Sequence, residues 1–210
     1  MIMSMKTLAL LAHSRLVNIS VGFLLASVWL LFAYSHVREY IETGKWSYLV
    51  FCLSESVQAF FFLFRRSPRI VSLEPFAWLV AIGGTFAPLC FRPGGVVVWS
   101  GGEMLLTFGV LVQVIALCSL NRSFGIVAAS RIIKTRGLYR VVRHPMYASY
   151  IFSFTGYLFY NFSLFNFLCV LFALIFMYFR IAEEERLLLK DESYQHYAQT
   201  VRYRLIPLVY

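Results

Sequence analysis

Residues 16–36 run without one charged side chain, close to the roughly 20 residues a helix needs to cross a bilayer core. Hydrocarbon offers backbone N–H and C=O groups no partner, so such a run closes its hydrogen bonds within itself as a helix. The pattern returns at residues 46–64, 73–91 and 96–120, giving four expected spans. The third is interrupted by Gly83, Gly84 and Pro88, and Arg92-Pro93-Gly94-Gly95 turns the chain after it. Hydrophobic residues make up 60% of the 210, whereas soluble domains hold roughly 45–50%. The chain reads as an integral membrane protein.

The polar segments orient the spans. Residues 37–45 carry Arg38, Glu39, Glu42 and Lys45, which cancel. Arg65, Arg66 and Arg69 follow the second span, and residues 121–146 hold Arg122, Arg131, Lys134, Arg136, Arg140 and Arg143 with no acid. Short basic loops stay on the cytoplasmic side, so both are placed there. The net charge of +9 is thereby explained by topology and anionic headgroups, and nucleic acid is not expected as a partner. Lys6 and Arg15 precede a run too long for a signal-peptide core, so a retained first span with a cytoplasmic N-terminus is expected.

Residues 147–179 are too long for one comfortable span, and Asn161-Phe162-Ser163-Leu164-Phe165-Asn166 breaks them with turn formers. With basic residues on both flanks, the segment must enter and return. A hairpin is expected, with arms at 147–160 and 164–179, each roughly 21–24 Å long, and a tip near Asn161. Residues 180–210 hold Glu183, Glu184 and Glu185, then Tyr194, Tyr197 and Val201 at helical spacing. They read as an amphipathic cytoplasmic helix turned to the membrane or to the preceding loop. The expectation is one all-α domain over 1–210, a polytopic transmembrane bundle. Residues 1–120 supply the four spans, and 121–210 supply a cytoplasmic loop, the hairpin and the C-terminal helix. Cys52, Cys90, Cys118 and Cys169 stand singly in apolar runs and offer neither a disulfide framework nor a zinc spacing. Glu55, with Gln58 beside it, is costly inside a span and is read as either a pairing residue or a cavity lining; Glu103 and Gln113 pose weaker forms of the same question.

Chemistry concentrates in Gly137-Leu138-Tyr139-Arg140-Val141-Val142-Arg143-His144-Pro145-Met146-Tyr147. Arg143 is a fixed cation and His144 can titrate near neutrality. Pro145 keeps His144 out of helical geometry and suits the first turn of the next helix, whose N-terminus favours anions. Tyr139 and Tyr147 add flat rings with polar tips. Such a loop can hold a ligand bearing both charge and an aromatic base. No Gly-x-Gly-x-x-Gly follows a strand, which argues against a Rossmann-type site.

Asn121-Arg122-Ser123-Phe124-Gly125-Ile126-Val127, the loop just quoted, Glu184-Glu185-Arg186-Leu187-Leu188, Tyr194, Tyr197 and Arg204-Leu205-Ile206-Pro207 together resemble the isoprenylcysteine carboxyl methyltransferase family. The resemblance covers about residues 120–210. It implies an integral membrane methyltransferase using S-adenosylmethionine at the cytoplasmic face, with Arg143, His144, Pro145, Tyr147, Glu184 or Glu185, and Tyr197 at the cofactor site. The chemistry of that cofactor agrees. Tyr139, Tyr147 and Tyr197 can stack on adenine, and Glu184 or Glu185 suits its ribose or ammonium. Arg143 and the helix N-terminus suit its carboxylate. The acceptor implied is a carboxylate on a lipophilic, isoprenylcysteine-like molecule or prenylated cysteine entering from the membrane lipid. Arg143, Glu185 and one of Arg122, Arg140 or Arg202 would position it, without a general base. Three other readings differ in chemistry. A phospholipid or amine acceptor would need a base, and its rate would rise with pH. A sterol-type reductase would bind NADPH. A transporter would leave the loop without a role.

Overall fold

The computed structural model describes residues 14–64, 70–71, 74–92, 95–120, 129–130 and 133–209. Arg65, Arg66, Arg69, Arg122 and Arg131 lie outside them, as do residues 1–13 and the 121–127 stretch; the side chains of Glu55 and Gln58 are also outside the description.

Helix α1 covers Arg15–Thr43 and α2 covers Trp46–Phe64. The first was expected to end at His36. It continues because residues 37–43 contain no breaker and Arg38 pairs with Glu42 one turn on, at 2.9 Å. It stops at Gly44, whose φ of 69° is the left-handed cap glycine favours and whose N–H reaches the Tyr40 carbonyl at 2.7 Å. The two helices pack as an antiparallel pair, with Ala26, Trp29 and Phe61 in the core between them and their neighbours.

Helix α3, Pro75–Phe86, starts at a proline that needs no N–H partner and gives way to a 3-10 turn at Ala87–Cys90 around Pro88. At 12 residues it spans about 18 Å, short of the expected crossing over 73–91. Gly83 and Gly84 do not interrupt it. They let it close on α6, where a Cβ at Gly83 would run into the Phe176 ring. Helix α4 is Gly102–Leu120, not 96–120. The β-branched run before it lies extended, and Val96 exchanges backbone hydrogen bonds with Phe162 at 2.8 and 2.9 Å.

Helix α5, Pro145–Tyr160, and α6, Leu164–Leu188, form the hairpin, with its tip at Asn161 as expected. Ser163 caps α6 by accepting from the Asn166 N–H, and the Asn166 side chain binds the carbonyls of Asn161 and Arg92 at 2.7 and 2.8 Å. The second arm does not stop at Phe179. It runs nine residues further, carrying Glu183–Glu185 on its last turns, so the expected C-terminal helix is shorter. That helix, α7, is Glu192–Thr200, capped by Asp191 accepting from the Ser193 N–H at 2.9 Å. Residues 201–209 are not helical.

Helices α4 and α5 lie closest of all, across a seam of Gly102, Gly109, Ser149, Ser153 and Gly156 that lets backbone meet backbone. Helix α6 packs on α3, and the hairpin arms touch over only a short stretch. The described residues also include one addition to an all-α chain: β1, Ile70–Val71, pairs antiparallel with β2, Ala129–Ser130, joining the two basic loops. Among the described residues, α1, α4 and α6 are long and apolar enough to cross a membrane.

Candidate functional site

The chain enters the site from α4 through Gly137, whose φ of 62° and closeness to the Ser119 hydroxyl exclude a side chain. A short 3-10 turn, Gly137–Arg140, buries Tyr139. The loop is then held by the C-terminal tail. The Arg143 N–H donates to the Tyr203 carbonyl at 2.9 Å and the His144 N–H to that of Arg204 at 2.8 Å. Pro145 opens α5, and the His144 side chain does not cap it.

Glu185 is the centre, only 2% exposed. His144 Nε2 lies 2.8 Å from its Oε1, the Tyr194 hydroxyl donates to the same oxygen at 2.7 Å, and Arg143 Nη1 stands 3.0 Å from Oε2 with Arg204 Nε at 3.5 Å. A carboxylate can only accept, so His144 carries its proton on Nε2 and turns Nδ1 toward Glu184 Oε2, 4.0 Å away. Glu184 is more open, with a quarter of its side chain exposed, and accepts from the Tyr147 hydroxyl at 2.8 Å. Glu183 pairs with Arg186 at 3.5 Å. The three adjacent glutamates therefore do different things: one ties the site together, one borders it, and one pairs with Arg186 on its own helix.

The expected residues Tyr139, Arg143, His144, Pro145, Tyr147, Glu184, Glu185 and Tyr197 come together here. Arg140 and Arg202 do not join the carboxylates; both are exposed on the rim, and Arg202 contributes its carbonyl to Arg143 Nη2 at 3.5 Å. Tyr139, Tyr147 and Tyr197 are all buried by protein neighbours. Tyr197 donates to the Tyr139 carbonyl at 2.6 Å and packs with Tyr194, Val201, Ile133 and Leu188, so α7 faces the loop, one of the two surfaces expected for it.

Three contributors were given no site role from the sequence. Tyr194 and Arg204, quoted there within the motifs, both bind Glu185. Arg180, taken there for a flanking charge, sits at the edge of the site, its guanidinium 5.4 Å from the Tyr147 ring centre and its Nη1 donating to Thr85 Oγ1 at 3.0 Å.

Burial pushes the Tyr197 hydroxyl up to about 12 and raises that of Tyr194 as well, so both remain donors at neutral pH. An unfolded tyrosine ionises near pH 10, so the stability that Tyr197 contributes is complete below that pH and lost as pH rises toward 12. The melting temperature is expected to fall across this window, and to fall less in Tyr197→Phe.

The donor set fits S-adenosylmethionine. Arg143 Nε is a buried donor with no hydrogen-bond partner among the described residues, and Glu184, a quarter exposed, accepts from the Tyr147 hydroxyl. Together they offer a cation to a carboxylate and an acceptor to an ammonium or a ribose diol.

Among curated proteins nothing matches the chain. The phospholipid methyltransferase family does match, over residues 85–195, a range that takes in α4, the loop, the hairpin and the start of α7. This family is related to the isoprenylcysteine one that the motifs resemble, and membership of that narrower group does not follow from the match. The matched range is more than half the chain and contains the His144, Glu184 and Glu185 cluster, and this chain belongs to the phospholipid methyltransferase family of membrane methyltransferases.

Proposed function

We propose that the chain methylates the amine headgroup of a membrane phospholipid, using S-adenosylmethionine at the cytoplasmic surface. The single observation that carries this reading is the open carboxylate of Glu184, held by Tyr147 and standing beside His144 at the foot of the loop. An amine must shed a proton before its lone pair can attack, and a positioned carboxylate takes that proton. The cofactor, when bound, supplies a methyl group on a sulfonium. Arg143 and the first turn of α5 suit its carboxylate, and the packed tyrosines keep water from the reacting centre. The basic residues of 121–146 argue for a cytoplasmic site.

A second reading keeps the carboxylate acceptor, favoured by the exposed cations Arg140 and Arg202 on the rim. It needs no base, so pH separates the two. Methyl transfer from labelled S-adenosylmethionine to phosphatidylethanolamine in mixed micelles is expected to rise with pH through neutrality and to fall about 100-fold or more in Glu184→Gln. A flat profile, with product formed only on a prenylcysteine acid, would replace this reading by the second. Absence of saturable S-adenosylhomocysteine binding would remove both.

A further inference from the structure

The geometry points to Arg180 as the anchor for the phosphodiester of the lipid acceptor, with Glu184 one turn along α6 receiving its amine; this rests on the methyl-transfer reading above. Arg180 is the first charged residue of α6, at the end of its apolar run, and its side chain is directed back along that run to Thr85. It is also built in. Its Nη1 donates to Thr85 Oγ1 at 3.0 Å, its guanidinium lies 5.4 Å from the Tyr147 ring centre, and the hydroxyl of that same ring donates to Glu184 at 2.8 Å. Tyr147 thus has a cation near its ring and a carboxylate at its tip.

The order of these charges along the helix identifies the ligand. Residues four apart share a helix face and stand about 6 Å apart along the axis. A long helical side chain leans toward the helix N-terminus, which carries the Arg180 guanidinium down to Thr85, further from the loop than Glu184. The pair therefore presents a cation deep and an anion shallow. An ethanolamine headgroup is the complement: its phosphodiester lies at the membrane side, and two carbons separate it from an ammonium nearer the water. Arg180 and Tyr147 also meet between the two hairpin arms, which belong to different helix pairs, α3 with α6 and α4 with α5. A lipid reaching this pair from the bilayer would bring its headgroup up beside His144 and Glu184.

The zwitterionic tail of S-adenosylmethionine is the rival occupant, and the test separates them. Wild type, Arg180→Gln and Arg180→Lys are titrated calorimetrically with S-adenosylhomocysteine. Each is then assayed on dioleoylphosphatidylethanolamine, with dioleoylphosphatidic acid, a phosphate lipid lacking the amine, as competitor. In Arg180→Gln the KM for the acceptor is expected to rise about 10- to 100-fold, the loss of one charged hydrogen-bonding partner. Affinity for S-adenosylhomocysteine should stay within about twofold of wild type, and competition by phosphatidic acid, present in wild type, should vanish. Should Arg180→Gln fail to fold, Arg180→Lys decides, because it keeps the charge and loses the forked geometry. A selective rise in KM supports the assignment and an unchanged KM overturns it. Weakened S-adenosylhomocysteine binding at an unchanged melting temperature gives Arg180 to the cofactor tail and overturns it, as does a wild type indifferent to phosphatidic acid. A wild type that binds no S-adenosylhomocysteine brings down the methyl-transfer reading itself, and this assignment with it.

Discussion

Replacing Glu185 with alanine is expected to cost about 3–5 kcal/mol of folding stability and to abolish S-adenosylhomocysteine binding. Arg143, His144, Tyr194 and Arg204 all converge on this one buried carboxylate from the loop, α7 and the tail. Without it, two guanidinium groups and a histidine face each other with nothing between them, and the loop loses its tie to α6. Unfolding in detergent and calorimetric titration measure the two effects. Glu184→Ala is the control. That carboxylate is partly exposed and is bonded to the Tyr147 hydroxyl, so its loss should cost about 1 kcal/mol and act mainly on turnover. A Glu185→Ala protein that melts with wild type would mean that the backbone hydrogen bonds from Arg143 and His144 to the tail suffice to hold the loop.

Gly156→Leu should be nearly as damaging without touching the site. A Cβ at Gly156 would meet the Leu106 backbone N–H, and the Gly102 carbonyl lies 2.7 Å away. Backbone cannot yield as a side chain can, so a stability loss of about 3 kcal/mol is expected, the upper end of overpacking costs. The larger consequence is positional. Helix α5 carries Pro145 and Tyr147 on its first turn, and prying it from α4 displaces them relative to Glu184. A shift of about 1 Å in such a constellation lowers turnover about 100-fold. The signature is a fall in kcat and melting temperature together, whereas Glu184→Gln should lower kcat alone.

The parts of this arrangement readable from the chain are those set by local rules. The hairpin tip at Asn161 follows from an apolar run too long for one crossing and broken by Asn and Ser. The reactive loop follows from a cation, a histidine and a proline in succession. The end of α6 was misjudged because Arg180 marks a change of polarity, and polarity is not a helix boundary. Arg180, Ala182, Glu183, Glu184, Glu185 and Arg186 are all helix-compatible, so α6 continues past it to Leu188. The division of labour among the glutamates was hidden by the same error. Once α6 is continuous, Met177, Ile181 and Glu185 fall four apart on the buried stripe, and Arg180 and Glu184 fall on the neighbouring one. Tyr194 and Arg204 stood within the quoted motifs, but their convergence on Glu185 is a tertiary contact that no local rule dictates. The short α3 is bounded by Pro75 and by the turn at Pro88, whereas the role of Gly83 and Gly84, contact with Phe176, depends on packing.

The bonds from Arg143 and His144 to the carbonyls of Tyr203 and Arg204 have a consequence for biogenesis. The two halves of the site are made far apart in time: His144 and Glu185 are separated by 41 residues, and the carbonyl that Arg143 Nη2 reaches lies 59 residues downstream. During synthesis Arg143 and His144 emerge before the carboxylate of Glu185 exists. Arg143 gains its carboxylate and its backbone tie to the tail only when translation has passed Arg204, so the site cannot assemble before that part of the tail has been made.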